Sequence, residues 1–322
     1  MLSKFYKRKE TVLLLSIFIL IMLISIENPY FLKFENLFSI IMGSVVLGIA
    51  ALGMLVVMIA GGIDLSIGAM ISAVSVIIGK YMVCFGGNIV LVSLLACLTG
   101  VTLGAINGIL ISKLEAPAII ITVATMSILR GMVQFFSNGK WVTNLPSYFV
   151  SFGNIKVFNI FHIQILILLI SIVLTVFVLK YTRVGRGIYA VGENAITALR
   201  VGYNIKKVKL FLYTFCGLMA GIAGLVHTSI MKQVDPNALK NFELEVIAVV
   251  ILGGTNIMGG AGSVLGTYLG VIFYVVLNNG LVFAHIPVFW QKIIVGCIII
   301  LMVSYDMIQY KKRERILISE VD

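Results

Sequence analysis

The sequence predicts an all-α polytopic membrane protein with about ten transmembrane helices, and three observations point to this fold class. Hydrophobic residues make up 60% of the 322 residues, charged residues only 11%, and the mean hydropathy is +1.11. Soluble globular domains carry about twice that share of charged residues. Apolar runs long enough to cross a bilayer recur along the chain. Most Lys and Arg residues flank these runs, so membrane orientation explains the net charge of +11 and nucleic-acid binding is not indicated.

Five spans are predicted in the first half of the chain. The first, at 11–26, follows a basic segment and resembles a signal peptide, but no small-residue cleavage site comes after it. We therefore expect a retained helix. The second span lies at 37–60, and the third follows the break GGIDLSIG and ends at about residue 85. The fourth covers 89–112 and the fifth 118–137, with the short turn KLEAP between them.

The other five spans alternate with longer connections. A polar connection at 138–162 contains Trp141 and suits the outer membrane interface, as does the connection at 231–245. The sixth span, 163–179, leads into a basic loop at 181–209. The last four spans are predicted at 210–230, 246–252, 264–283 and 293–305, followed by a basic tail at 306–322. We treat the whole chain, 1–322, as one transmembrane domain.

The charges predict how these spans are oriented. An even number of spans puts both termini on one side of the membrane, and Lys and Arg resist translocation. If the termini and the loop 181–209 are cytoplasmic, sixteen of the 24 Lys and Arg residues collect on that side. We therefore predict a multi-pass protein with cytoplasmic termini, a cytoplasmic loop at 181–209 and a cytoplasmic tail at 306–322.

The loop 181–209 is the one long polar segment of the chain. It holds six Lys and Arg residues against a single acid, Glu193. Asn194 precedes the helix-forming run AITAL and is a suitable N-cap, with Glu193 beside the positive helix end. This predicts a short helix at the inner membrane face between two flexible, glycine-containing arms. Charge alone leaves two interpretations open: a docking surface for a soluble partner, or an ordinary solvated loop.

Polar residues within the spans suggest a path for a solute. Gly61 and Gly62 break a helix directly before Asp64 and Ser66, where a buried carboxylate is expensive. These two side chains either belong to a gate in the path or simply cap the next helix, and both interpretations remain open. Further side chains that could line the path are Asn107, Thr122, Thr125, Arg130 and Gln134. For Arg130 we expect a side chain that either snorkels outward or pairs with another helix. Glycines spaced three or four apart allow close helix crossing.

Several kinds of chemistry are not indicated. Neither HExxH nor paired aspartates occur within the spans, so we predict no metal site and no enzyme activity. The segment GGTNIMGGAGS lacks the Lys of a phosphate-binding loop, and we predict no cofactor in this chain. A series of acids or histidines, as in a proton-driven transporter, is missing from the spans. This favours energy supplied by another polypeptide. Four cysteines in apolar segments are expected to be buried hydrophobes: Cys84, Cys97, Cys216 and Cys297.

Four ordered segments carry a specific resemblance. IAGGIDLSIGAMIS, AINGILISKLEAPAIIITVATMSILRG, GRGIYAVGENAITALRVG and AVVILGGTNIMGGAGSVLGT resemble the permease subunits of bacterial ATP-binding-cassette (ABC) importers of the ribose type. The resemblance covers roughly residues 36–280. It implies the type II permease fold, like that of vitamin B12 importers, in the bacterial cytoplasmic (inner) membrane. The solute would be a monosaccharide or a similar polyol-like compound, such as the furanose-like signal autoinducer-2.

The resemblance also implies partners. These are two cytoplasmic ATPase subunits that bind ATP and magnesium, an extracytoplasmic solute-binding protein, and a second permease subunit, identical or different. It favours the docking interpretation of the basic loop, and implies that the ATPase contacts are Arg186, Gly192, Glu193, Asn194 and Ala198. The alternative function is an ion-coupled secondary transporter of a small solute, which would need intramembrane acids.

Overall fold

The structure is a computed structural model that describes residues 2–157 and 161–287, and beyond them 289–291, 293, 294, 296, 297, 300, 301 and 304. The predicted tenth span at 293–305 therefore lies partly outside the described residues, and the tail 306–322 lies entirely outside them. The helices in chain order are α1 Leu2–Glu27, α2 Phe34–Ile59, α3 Ile67–Phe85, α4 Ile89–Leu114, α5 Ala118–Ser137, α6 Ser147–Asn154, α7 Ile163–Tyr181, α8 Arg183–Glu193, α9 Ala195–Arg200, α10 Ile205–Met231, α11 Phe242–Leu252 and α12 Val264–Phe283.

Eight of the described helices are long and apolar enough to cross a membrane, namely α1 from Lys9 onward, α2, α3, α4, α5, α7, α10 and α12. They match eight of the ten predicted spans and confirm an all-α polytopic membrane protein. The predicted eighth span corresponds to α11, which starts earlier, at Phe242, and has only 11 residues. At 1.5 Å per residue it is about 16 Å long, roughly half of the hydrocarbon thickness of a bilayer.

Two predicted connections contain more structure than the sequence suggested. The connection 138–162 includes α6 and a short antiparallel pair, β1 Lys156–Val157 with β2 Phe161–His162. In the basic loop, the prediction of a flexible first arm is wrong, because this segment forms the helix α8. The second arm is shorter than predicted, because α10 already begins at Ile205.

The core lies along three helices. In the most apolar part of each helix, 78% of the residues are buried in α2 and 72% in both α3 and α10. The corresponding shares are only 11% in α1 and 17% in α5. Large apolar side chains such as Leu52, Met54 and Ile71 are completely enclosed there. The outer helices expose Leu, Ile and Phe, as expected for surfaces that face lipid.

A seam of glycines joins α4 to α10. Gly100 and Gly104 of α4 face Gly217 and Gly221 of α10, spaced one helical turn apart on each helix. A methyl group added to Gly104 would lie 2.9 Å from the Cα of Gly217 and would overlap with the carbonyl oxygen of Tyr213. Such small residues let two helix backbones approach closely, which stabilises their packing in lipid.

The segment 253–263 returns the chain from the end of α11 to the start of α12. The Gly260 backbone N–H donates to the carbonyl oxygen of Ile59 at 2.8 Å, at the end of α2. Ser263 donates to the carboxylate of Glu10 at 2.7 Å, so α1 begins beside the start of α12. We call the end of the bundle that carries α8, α9 and these contacts the basic end; α6 and the loop 232–241 lie at the opposite end.

Candidate functional site: a buried polar chain and a docking surface

Asp64 lies in the break between α2 and α3. Gly61 adopts the left-handed conformation (φ 78°) that lets the chain leave α2, and the Asp64 side chain is completely buried. Its Oδ1 accepts the backbone N–H of Ser66 at 2.9 Å and the Ser66 hydroxyl at 2.5 Å. The Asp64 carboxylate thus satisfies a backbone donor at the start of α3. Ser66 occupies the N-cap position, but its side chain makes no capping bond.

The hydrogen bonds continue from this turn into α4 and α5. Asn107 donates through Nδ2 to the Ser66 hydroxyl oxygen at 2.9 Å, and Thr125 donates through its hydroxyl to Asn107 Oδ1 at 2.7 Å. Four of the residues predicted for the solute path, from three separate segments, therefore form one continuous set of hydrogen bonds. We call Asp64, Ser66, Asn107 and Thr125 the polar chain.

One oxygen of the polar chain lacks a strong partner. Asp64 Oδ2 is buried and makes no short hydrogen bond to the described residues. The Cys216 thiol of α10, a weak donor, lies beside the carboxyl group, as does Tyr213. The carboxylate is therefore held in place by the packing of the surrounding helices.

Two of the other predicted path residues lie apart from the polar chain. Thr122 is fully buried, and its hydroxyl lies 3.3 Å from the Ile119 carbonyl oxygen of its own helix. Gln134 donates to Asn237 Oδ1 at 2.9 Å, in the loop at the opposite end. Thr122 can thus be explained by helix packing alone, whereas Gln134 ties α5 to another segment.

An ion pair beside Gln134 shows that Arg130 pairs with another helix, the second of the two outcomes predicted for it. Arg130 of α5 contacts the carboxylate of Glu243 at 2.8 Å, and Glu243 is only 5% exposed. The sequence placed Glu243 in the connection 231–245, where an acid would face water. Because α11 already starts at Phe242, this acid lies on a helix instead. The available signal was Arg130 itself, since a cation within a span calls for a partner.

The docking surface is built by α8 and α9 at the basic end. Asn194 accepts the Thr197 backbone N–H at 2.9 Å, which confirms the predicted cap and the helix that follows it. The α9 segment exposes apolar side chains: Ile196 is 67% exposed, Leu199 59%, and Val201, just after the helix, 73%. We call Ile196, Leu199 and Val201 the apolar patch. Sequence reasoning missed it because the charges of the loop dominated the interpretation.

The five predicted ATPase contacts divide into two groups. Arg186, Glu193 and Asn194 are exposed at the basic end. Gly192 and Ala198 face inward: Ala198 is 3% exposed, and a methyl group at Gly192 would overlap with the Ile59 carbonyl oxygen. The three exposed residues are thus accessible to a partner, whereas the two small ones seat the helices on the membrane segments.

The helix α8 is firmly attached to the bundle. The Tyr189 hydroxyl donates to the carbonyl oxygen of Gly262 at 2.9 Å, and burial raises the pKa of this phenol, so the donor proton stays in place. Gly192 packs on Ile59, the last residue of α2. Ile59 precedes Asp64 by five residues in the sequence. A displacement of α8 would therefore be passed to the break in which the polar chain begins.

Comparison with known sequences identifies the family. The sequence model of the family described as "Branched-chain amino acid transport system / permease component" matches residues 36–303. The chain belongs to this permease family. The match begins two residues into α2 and extends past the end of α12, so the polar chain, α8 and α9 all lie within the matched region.

Individual relatives show which members of the family this permease resembles. It is 36% identical over 294 residues to a ribose import permease protein of Bacillus subtilis, with 91% of each chain covered. It is 32% identical to the ribose import permease protein of Escherichia coli K12, with 91% of this chain and 92% of that protein covered. An autoinducer 2 import system permease protein of Photorhabdus luminescens is 30% identical over 306 residues, covering 95% of this chain and 92% of the relative. The resemblance to ribose-type permeases is thereby confirmed. No solved structure matches the chain.

Proposed function

We propose that this permease is the membrane subunit of an ABC importer that takes up a monosaccharide or a similar small polyol. The single observation that carries the proposal is the apolar patch on α9, exposed on a helix pair that is anchored to the end of α2. Exposed apolar side chains in an otherwise basic segment are typical of a protein-binding surface. The partners would be two cytoplasmic ATP-binding subunits, which carry ATP and magnesium, and a second permease subunit.

The mechanism we propose is alternating access. An extracytoplasmic binding protein delivers the solute to the opposite end, which is formed partly by 138–162 and 231–243. ATP binding draws the ATPase subunits together and displaces α8 and α9. Because Gly192 rests on Ile59 and Gly260, the displacement reaches the break at Asp64 and then, through Asn107 and Thr125, α4 and α5. The polar chain would act as the gate.

The proposed solute follows from the relatives named above, which import ribose and autoinducer 2. The name of the family refers to branched-chain amino acids, which makes leucine the natural competitor in a transport assay. We expect the complex to take up a neutral sugar, and we expect excess leucine not to inhibit this uptake.

The test is purification of the permease from its native membrane in mild detergent, followed by identification of the proteins that accompany it. We expect an ATPase with a GxxxxGK[ST] loop in stoichiometric amount, and sugar uptake by the reconstituted complex that requires ATP. Sugar uptake by the permease alone in liposomes, driven by an ion gradient without ATP, would instead identify a secondary transporter.

Exposed charges on α8 provide a residue-level test. Glu193→Lys or Arg186→Glu should leave the amount of permease in the membrane unchanged, because both side chains lie on the surface. Either variant should uncouple the complex, so that ATP hydrolysis no longer drives sugar uptake. Normal uptake by both variants would show that the docking surface lies elsewhere.

A further inference from the structure

A cavity of about 570 Å³ opens at the end opposite the basic end. Side chains from α2, α10, α11 and α12 line it, and Trp141 of the connection 138–162 contributes to its wall. None of its lining residues belongs to the polar chain or to the apolar patch. Its volume falls in the usual range of small-molecule sites, about 300–1,000 Å³. We call it the outer cavity.

His227 is a buried side chain in the wall of the outer cavity. It is only 7% exposed, and its Nδ1 atom has no hydrogen-bond partner among the described residues. Buried polar atoms in native proteins nearly always have partners, so this atom is placed to bond a ligand or a water molecule in the outer cavity. This observation is independent of the size and shape of the cavity.

The remaining polar side chains combine acceptors with donors. Asp235 and Glu245 supply carboxylates, Gln233 and Asn278 supply amides, and among the described residues no Lys or Arg lines the cavity. Asp235 uses Oδ1 to accept the Asn237 backbone N–H at 2.8 Å, which fixes the orientation of its carboxylate. Each amide both donates and accepts, so the lining offers hydrogen bonds of both kinds.

Aromatic rings supply the apolar part of the lining. Trp141, Phe242 and Tyr274 contribute to the wall, and Trp141 is 54% exposed. A sugar ring has C–H faces that pack on aromatic rings and a rim of hydroxyl groups that both donate and accept. An ammonium group only donates and would leave the amide N–H donors unused.

We propose that the outer cavity binds a small neutral polyhydroxylated solute, such as a monosaccharide, within a single permease chain. This inference rests on the proposed function, because it takes a sugar as the transported solute. It adds a binding site, with Asp235, Glu245 and His227 as ligands of the hydroxyl groups and Trp141 as a packing surface.

Tryptophan fluorescence of the full-length permease in nanodiscs tests the site. Trp290, one of two tryptophans in the chain, is replaced by Phe so that Trp141 alone reports. D-ribose, D-xylose, D-galactose and L-rhamnose are titrated, with spermidine as the cationic probe. We expect a saturable change in Trp141 emission with at least one sugar and none with spermidine.

Two variants and a control examine the lining. Asp235→Asn should raise the apparent dissociation constant for the sugar by about tenfold. Gly43→Leu should abolish the response by filling the cavity: a Cβ atom at this position lies 3.4 Å from Val275 Cγ1, an ordinary contact. Glu35→Gln, an exposed carboxylate outside the outer cavity, should change nothing. Each variant must retain the thermal midpoint of its parent.

The outcomes separate this inference from the proposed function. The outer cavity is not a sugar site if no sugar gives a saturable response, if spermidine alone gives one, or if Asp235→Asn binds sugar like the parent. ATP-driven sugar uptake can persist in each of these cases, and the importer assignment would then stand without the site. Loss of ATP-dependent uptake in the complex would overturn the proposed function itself.

Discussion

Asn107 is the residue through which three segments are held together. Its amide bonds the Ser66 hydroxyl on one side and accepts the Thr125 hydroxyl on the other. Its side chain is completely buried, so water cannot replace either contact. Asp64 and Thr125, the two ends of the polar chain, are linked through Ser66 and Asn107.

Replacing Asn107 should therefore impair transport as well as stability. Asn107→Leu keeps the volume but breaks the link between the two hydroxyl groups: Ser66 keeps its bond to Asp64, whereas the partly buried Thr125 hydroxyl loses its acceptor, at a cost of about 1–3 kcal/mol. We expect sugar uptake to fall at least about tenfold, with association of the ATPase unchanged. Thr102→Val serves as the control, because Thr102 is exposed on the same helix and bonds only Thr99. Equal uptake by both variants would remove the polar chain from the mechanism.

At the scale of elements, α9 and the α4–α10 pair differ in their surroundings. The short helix α9 exposes the apolar patch, whereas α4 and α10 pack tightly on each other within the bundle. Substitutions in α9 should therefore affect partner binding, whereas substitutions in the glycine seam should affect folding.

In α9, Ile196→Asp should weaken binding of the ATPase. Burial of such a side chain contributes about 1.5–3 kcal/mol, equivalent to about ten- to hundredfold in affinity. Thr197→Asp is the matched control, since it adds the same charge at the neighbouring exposed position without removing apolar surface. Retention of the ATPase on the immobilised permease measures the effect. If both variants lost the ATPase to the same extent, the added charge alone would explain the weaker binding.

In the glycine seam, Gly104→Leu should prevent α4 from packing on α10. No Cβ fits between Gly104 and the Tyr213 carbonyl group, whereas a Cβ at Gly131 of α5 meets no atom within 4 Å. We therefore expect Gly104→Leu to reduce the amount of folded permease and to lower its thermal midpoint by several degrees, while Gly131→Leu changes neither. Fluorescence-detected size exclusion after heating would measure both, and a stable Gly104→Leu protein would contradict this account of the seam.

At the scale of the whole molecule, α5 is the helix that joins the middle of the bundle to the opposite end. It is among the less buried spans, yet Thr125 ties it to α4, and Arg130 and Gln134 tie it to Glu243 and Asn237. The Arg130 side chain is 30% exposed, so loss of this ion pair would cost less than loss of a fully buried one, but the two contacts together tie α5 to the opposite end. In the alternating access proposed above, we expect them to open and close.

A reversible cross-link can test this expectation. In the double variant Gln134→Cys with Asn237→Cys, the two cysteines replace side chains whose ends meet at 2.9 Å, so a short bifunctional methanethiosulfonate can bridge the gap that the shorter thiols leave. We expect cross-linking to stop sugar uptake and reduction to restore it, because α5 would be tied to the loop 232–241. Each single variant, treated in the same way, is the control. Full uptake by a protein whose cross-link is verified by mass spectrometry would show that these segments do not separate.

The sequence was informative where the physical signal was local. Apolar runs, the Asn194 cap and the Gly61–Gly62 break follow from neighbouring residues, and the structure has them where they were expected. Asp64, Ser66, Asn107 and Thr125 were chosen separately, as polar residues in apolar surroundings. Their connection could not be predicted, because it depends on the packing of α3, α4 and α5. Pairing of Arg130 was one of two predicted outcomes, but Glu243 as its partner, the apolar patch and the outer cavity were missed for the same reason: each depends on where helices end and how they pack.

The position of α1 has a consequence for how the permease is synthesised. Its principal packing partner is α12, where Ile24 sits against Gly280 and Glu10 bonds Ser263. The ribosome completes α12 at Phe283, 256 residues after α1 ends at Glu27, which takes about 10–50 s at typical bacterial translation rates. During that time α1 must remain inserted without its permanent neighbour. Its high mean hydropathy of 2.3 and its small buried share of 11% fit a helix that lipid alone can stabilise until the chain is complete.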